Sequence, residues 1–163
     1  MAFDLELVSE LAAPEDEVWA AVSTLTGVNR ELAPWVRMTE PPEARGRSLL
    51  EAPVGEVVFT STLLAFRLLP FDRHELRLVQ AERGHFLERS RSLLQKSWEH
   101  ERWVEAIPGG TRVRDRLRVE PRGAPDRLVR ALVRALFRWR HQKLRRRYGE
   151  LAGAGRASQN PGR

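Results

Sequence analysis

The sequence predicts an α+β fold: a curved antiparallel sheet of about seven strands wrapped around one long C-terminal α-helix, with two short helices set between the first and second strands. Three observations predict it. The chain opens on an alternating strand pattern followed at once by helix-start chemistry. Residues 56–121 then read almost entirely as period-two runs separated by turn residues. Past Gly123 the hydrophobic period changes from two to 3.6 and holds to residue 148. With 163 residues and no cysteine, the chain is long enough to bury a core without crosslinks. One domain over 1–152 is expected, followed by a small, polar, disordered tail over 153–163, GAGRASQNPGR.

Taken in order, Phe3, Leu5, Leu7 and Leu11 alternate with Asp4, Glu6 and Glu10 as a strand with one wet face. Pro14, followed by Glu15, Asp16 and Glu17, starts a helix: proline suits a first turn that needs no N–H from it, and the acids meet the positive end of the dipole. That helix is expected to run to about Leu25 and to be ended by Gly27, with a second from Val28 to Leu32 stopped by Pro34. Trp35 to Thr39 reads as a strand, and Pro41-Pro42 and Gly46 as turns. Glu56–Phe66, His74–Glu82 and His85–Leu93 follow as strands, punctuated by Pro70 and Gly84.

The hairpin from Ser97 to Pro121 sorts its side chains onto two faces. Its turn is Pro108-Gly109-Gly110, and pairing Ile107 with Arg112 sets Glu105 opposite Arg114, Trp103 opposite Arg116 and Glu101 opposite Arg118, the complementarity of a solvated face. The other face carries Trp98, His100, Arg102, Val104 and Ala106 on one strand and Val113, Asp115, Leu117 and Val119 on the next, with Arg102 diagonal to Asp115. In the strand before, turning Arg89 and Arg91 outward turns Phe86, Glu88, Ser90 and Ser92 inward, with Glu88 beside His100 or Arg102. Ionisable groups on an inward face are costly unless paired or hydrated, which points to a sheet that lines a pocket.

After Gly123-Ala124-Pro125 a helical wheel gathers Leu128, Leu132, Leu136 and Trp139 beside Val129, Val133, Phe137 and Leu144 in a broad apolar arc. Arg127, Arg130, Arg134, Arg138 and Arg145 fill the opposite side. So wide an arc must cover something, and the concave side of the sheet is the natural surface, closing a cavity. Arg140, Lys143 and Arg147 share the apolar arc. They either form a mouth for a carboxylate or phosphate headgroup or snorkel to solvent past the sheet edge.

The order of elements and a set of local motifs resemble the START-related SRPBCC superfamily, whose fold is the helix-grip. The resemblance spans residues 3 to about 148. It is carried by Ala13-Pro14-x-x-x-Val18-Trp19, Glu31-Leu32-Ala33-Pro34, Pro70-Phe71-Asp72-x-His74-x-Leu76, Phe86-Leu87-Glu88-x-Ser90, Trp98-x-His100-x-Arg102, Gly110-Thr111-x-Val113-x-Asp115, Glu120-Pro121-x-Gly123 and Leu136-Phe137-x-x-Arg140. That superfamily includes lipid and sterol carriers, polyketide cyclases and aromatases, coenzyme Q-binding proteins and hormone receptors. The resemblance therefore implies a cavity for a hydrophobic ligand and names no reaction.

Composition narrows the classes further. The net charge is +6, yet residues 125–148 hold nine Arg or Lys and one Asp, so the rest of the chain is slightly acidic. The basicity belongs to one helix, and without an aromatic stacking platform it does not point to nucleic acid. Peripheral contact with an anionic membrane through that helix, or a protein interaction through its arginine face, are the sharper alternatives to a merely solvated face. The acidic, alternating N-terminus is not an export signal, no run approaches the roughly 20 apolar residues of a membrane span, and the absence of cysteine fits a reducing compartment, so a cytoplasmic protein is expected. There is no nucleophile elbow, phosphate-cradling glycine loop or HExxH, and His74, His85, His100 and His141 show no ligand spacing, so neither metal nor cofactor is expected.

The expected ligand-binding residues are Phe86, Glu88, Ser90, Trp98, His100, Arg102, Asp115, Leu117, Leu136 and Arg140. Arg102 or His100 would take the polar head of an otherwise apolar molecule such as a lipid, quinone or polyketide, with Glu88 and Asp115 holding them. The competing reading is a self-satisfied network, Arg102 with Asp115 and Glu88 with His100, that fixes sheet register and touches no ligand. Binding or carriage ranks above catalysis. A cyclase or aromatase would use His100, Glu88 or Asp115 as acid or base.

Overall fold

The computed structural model describes residues 1–151, and the tail expected over 153–163 lies outside the described residues. Seven strands and three helices follow the predicted order: β1 (Phe3–Leu11), α1 (Glu15–Val22), α2 (Leu25–Leu32), β2 (Val36–Met38), β3 (Val57–Ala65), β4 (Leu69–Glu82), β5 (His85–Ser92), β6 (Gln95–Ile107), β7 (Gly110–Pro121) and α3 (Asp126–Tyr148). The strands form one curled antiparallel half-barrel in the order β1-β7-β6-β5-β4-β3-β2, gripping α3. Two 3₁₀ turns, Pro42–Ala44 and Leu49–Glu51, punctuate the long β2–β3 connection. No helix among the described residues is long and apolar enough to cross a membrane.

Local chemistry corrects four expectations. The first is Gly27, which does not end a helix. α1 stops at Val22, Thr24 caps α2 by accepting the Gly27 N–H at 3.1 Å, and Gly27 lies inside α2. It is glycine because a Cβ there would sit 1.6 Å from the Ala21 carbonyl oxygen. Pro70, expected to separate strands, lies within β4, at a register shift opposite Leu64 where the ladder already skips.

The third correction is the β6–β7 register, which is two residues tighter than the expected one. Ile107 pairs with Gly110 across the two-residue turn Pro108-Gly109, where Gly109 supplies the positive φ of 82° that such a turn needs. Glu99, Glu101 and Glu105 therefore face Arg118, Arg116 and Arg112, Trp103 carries the Arg114 guanidinium 4.1 Å above its ring, and Arg102 stands directly opposite Asp115. A slip of two leaves every side chain on its predicted face, so the inward set survives.

The fourth concerns α3, whose buried arc is narrower than the wheel suggested. Val133, Phe137, Arg140, His141, Leu144 and Tyr148 are buried, while Leu128 and Leu132 are exposed and Leu136 is half-buried. Arg145, expected in the outward stripe, turns in to donate to the Ser9 hydroxyl at 2.8 Å.

The core has two apolar layers. One joins Leu11, Val18, Trp19, Val22, Phe86, Val104, Val113, Leu144 and Tyr148; the other joins Phe3, Leu5, Leu117, Val119, Val133 and Phe137. On each element that contributes to both, a polar residue intervenes: Ser9 between Leu5 and Leu11 of β1, Asp115 between Val113 and Leu117 of β7, and Arg140 and His141 between Phe137 and Leu144 of α3. A charged stratum thus crosses the half-barrel between two apolar ones.

Candidate functional site

Arg102 on β6 lies at the centre of this stratum and is fully buried. Its Nε and one terminal nitrogen donate to Asp115 at 2.6 and 2.7 Å, and both terminal nitrogens donate to Glu31 of α2 at 3.0 Å. The two carboxylates thus grip the planar guanidinium fork from two directions. Glu31 also accepts from Arg140 Nε of α3 at 3.0 Å, so one side chain of a short helix joins β6 to the C-terminal helix.

Asp115 continues the network through two histidines. Its Oδ2 lies 2.9 Å from His141 Nε2, whose Nδ1 is 2.8 Å from the Ser9 hydroxyl, and its Oδ1 lies 2.8 Å from His100 Nε2. On the other side of His100, Nδ1 is 3.9 Å from Glu88, which accepts from His74 Nε2 at 2.7 Å. A continuous run of acid and imidazole therefore crosses from α3 to β4, with Phe86 and Phe137 set edge-on to the His100 ring, both at 5.2 Å.

The electrostatics follow from the pairing. Burial alone would raise Glu88, but hydrogen bonds from His100 and His74 and their positive charge hold its carboxyl far below the usual range. Asp115 is held low against the same burial by the charge and hydrogen bonds of Arg102 and His100, and Glu31 by Arg102 and Arg140. Burial would lower His74, yet the hydrogen bond and charge of Glu88 raise it. Arg140 is the less compensated cation: burial and the neighbouring Arg102 push its pKa down despite the opposing charge of Glu31 and Asp115.

Of the expected residues, the fold brings Glu88, His100, Arg102, Asp115 and Arg140 into this one network. Phe86 and Leu117 sit in the apolar layers on either side, and Trp98, half-buried, packs on Phe137 at 6.0 Å and edge-on to His74 at 6.3 Å. Ser90 is buried and accepts the Arg77 N–H at 3.1 Å, whereas Leu136 stands apart on α3. Sequence reasoning missed Glu31, Ser9, His74 and His141 as members. Glu31 was legible in principle, one helical turn from Gly27 on the same face of α2, and Asp72 and His74 share the inward face of β4 with Leu76 and Leu78, alternating with exposed Arg73, Glu75 and Arg77.

Two cavities lie beside the network, and none of the ten expected residues lines either. The first, about 400 Å³ and open to solvent on one side, is lined by Leu25 of α2, Leu49, Ala52 and Pro53 of the β2–β3 connection, and Val58, Phe59 and Leu76 of the β3–β4 arm, with Arg47, Ser48, Glu51 and Thr60 as polar members. The second, about 350 Å³, lies between α2 and the end of α3, where Arg30, Lys143, Arg146 and Arg147 surround Val22, Leu144 and Tyr148. Lys143 and Arg147 thus reach a surface hollow beyond the charged stratum, while Arg140, from the same arc, is buried within it.

A family described as a domain of unknown function, DUF8410, matches residues 9–148. No curated protein matches the chain. Among solved structures it is similar to protein CV1439 from Chromobacterium violaceum, at 14% identity and TM-score 0.66 over 91% of this chain and 99% of that one. A START superfamily protein from Mycobacterium smegmatis aligns at 13% identity and TM-score 0.62 over 89% and 96% of the two chains. Zhui aromatase/cyclase from Streptomyces sp. R1128 aligns at 13% and 0.62 over 88% and 92%. The chain therefore has a START-type fold, as the order of elements implied.

Proposed function

The chain belongs to the DUF8410 family, and from that premise and its START-related fold we propose that it binds a small, largely apolar molecule and does not transform it. The observation that carries this reading is the cavity of about 400 Å³ between α2, the β2–β3 connection and the β3–β4 arm. Its size falls at the lower end of the roughly 300–1,000 Å³ typical of ligand sites, and its apolar walls with a few polar members match what such sites present. A quinone, a small polyketide or a single acyl chain suits that volume better than a two-chain lipid.

The charged stratum supports binding over catalysis. A general base needs a pKa near the working pH, and Glu88 and Asp115 are held far below it. Both ring nitrogens of His100 face carboxylates, which orient the ring and leave it no free edge. Arg102 spends four of its five N–H donors on Asp115 and Glu31 and is fully buried, which leaves it poorly placed to take a ligand headgroup. On this reading the cluster first expected to hold the ligand locks the scaffold around the cavity instead.

The test is native mass spectrometry of the protein as purified, followed by titration with the apolar probe 1-anilinonaphthalene-8-sulfonate. One small molecule or one probe bound per chain is expected. Val58→Asp, a change on a half-buried wall residue, should abolish binding with the circular dichroism unchanged. Probe binding untouched by Val58→Asp, or turnover of a polyketide substrate lost in His100→Ala, would overturn the reading.

A further inference from the structure

Large apolar side chains are exposed together at the end of the half-barrel remote from the β2–β3 connection. In an antiparallel sheet the β3–β4 turn, the β5–β6 turn and the exit from β7 into α3 share one edge. The first presents Phe66, Leu68 (79% exposed) and Leu69, the second Leu93 and Leu94, and the first turns of α3 present Leu128 and Leu132 (62% exposed). Part of this surface is continuous: Phe66 stacks edge-on against the exposed Trp35 at 5.9 Å, Trp35 against Trp139 at 6.1 Å, and Trp139 leads back along α3 through Leu136 to Leu132. Monomeric soluble proteins seldom leave such a patch without a partner.

Two further observations identify the partner. Arg67 at the β3–β4 tip and Arg127 and Arg138, nearest to the leucine stripe around α3, are exposed, with Arg130 and Arg134 farther round the same helix; among the described residues none of the five has a carboxylate within 4 Å, and Asp126, beside Arg127, is taken by the N-terminal amine. The β3–β4 turn also holds Phe66 and Arg67 at φ of 50° and 68°, a left-handed conformation that a bulky residue adopts at a cost, and so points an aromatic ring and a guanidinium outward at its tip. Tryptophan and leucine edged by arginine is the composition of a surface that rests in the headgroup region of a bilayer. A second copy of the chain would bring the same arginines against their own kind.

We propose that this end of the molecule, the two turn tips with the N-terminal half of α3, docks on an anionic lipid bilayer. The leucines and Phe66 enter the acyl boundary, Trp35 and Trp139 lie at headgroup level, and the arginines meet lipid phosphates. The inference does not rest on the ligand cavity, which opens at the other end of the sheet.

The experiment is flotation of the whole chain with phosphatidylcholine vesicles, with and without phosphatidylglycerol, read also by tryptophan fluorescence. The protein should float with the anionic vesicles, shift its emission to the blue, and be released by salt. Leu68→Glu with Leu132→Glu should weaken binding by about tenfold or more, since a decade is ~1.4 kcal/mol and burial of one leucine is worth at least that. Both sites are exposed, so circular dichroism should not change. Absence of flotation, equal binding to neutral vesicles with no salt effect, or binding unaffected by the double substitution would overturn the proposal. So would a dimer in light scattering that the double substitution dissolves, which would assign the patch to a second copy.

Discussion

Between Arg140 and Tyr148, α3 buries a guanidinium and an imidazole. Between Asp126 and Leu136 the same helix leaves Leu128 and Leu132 in solvent. Both halves break the pattern of an amphipathic helix, in opposite directions, and the difference lies in what each half faces. The C-terminal half meets α2, whose Glu31 supplies a counter-charge to Arg140, and β7, whose Asp115 supplies a partner to His141, so both are desolvated but paired, while the Tyr148 hydroxyl is buried without a partner among the described residues. The N-terminal half turns Val133 to the sheet and, among the described residues, has nothing to cover its leucines. Polar burial marks where the molecule is closed on itself, and apolar exposure marks where it is open.

The sharpest way to break this contrast is Arg102→Met. It leaves Asp115 and Glu31 buried without their main counter-charge, and a loss of about 3–5 kcal/mol in urea unfolding is expected. A cost below about 1 kcal/mol would mean that the stratum is wet and open to a ligand.

A smaller effect is expected from pH, which removes one charge at a time. Glu88, held below its ordinary 4.5, contributes stability that is complete above pH 4.5 and fades as pH falls toward its folded value. His74, raised above its ordinary 6.5, contributes stability that is complete below pH 6.5 and fades as pH rises through the raised value. The melting temperature should therefore peak between about pH 4.5 and 6.5, and His74→Gln should flatten the alkaline limb and also shrink the acid limb, because His74 helps hold Glu88 low.

The smallest effect is expected at the open end. Leu132→Ser should alter stability by no more than about 0.5 kcal/mol. Leu144→Ala, three turns along the same helix and buried, should cost about 2–4 kcal/mol. Similar costs at the two sites would place Leu132 under cover and remove the contrast.

Much of this was legible in the sequence, and the failures share a cause. Alternation fixed the faces of β5, β6 and β7, because the period of two survives even the register error made at the Pro108-Gly109 turn. It therefore placed Glu88, His100, Arg102 and Asp115 inward correctly. What alternation does not carry is partnership across the fold. Glu31, His141 and Ser9 reach the cluster from α2, α3 and β1, separated from Arg102 or Asp115 by up to 106 residues of chain, and no local pattern encodes such a meeting. The helical wheel likewise gave α3 its amphipathicity but not the angle at which it docks, so it buried two leucines that stand free.

The sharing of Glu31 between Arg102 and Arg140 constrains how such a sequence can drift. Each carboxylate answers for more than one cation, so no single replacement in the trio of Glu31, Arg102 and Asp115 leaves the ledger of charge neutral. Relatives that keep this interior should inherit the three residues as a set. Those that lose it should lose them together with Arg140, which would otherwise lie buried without Glu31, and apolar side chains of similar volume should fill all four places at once.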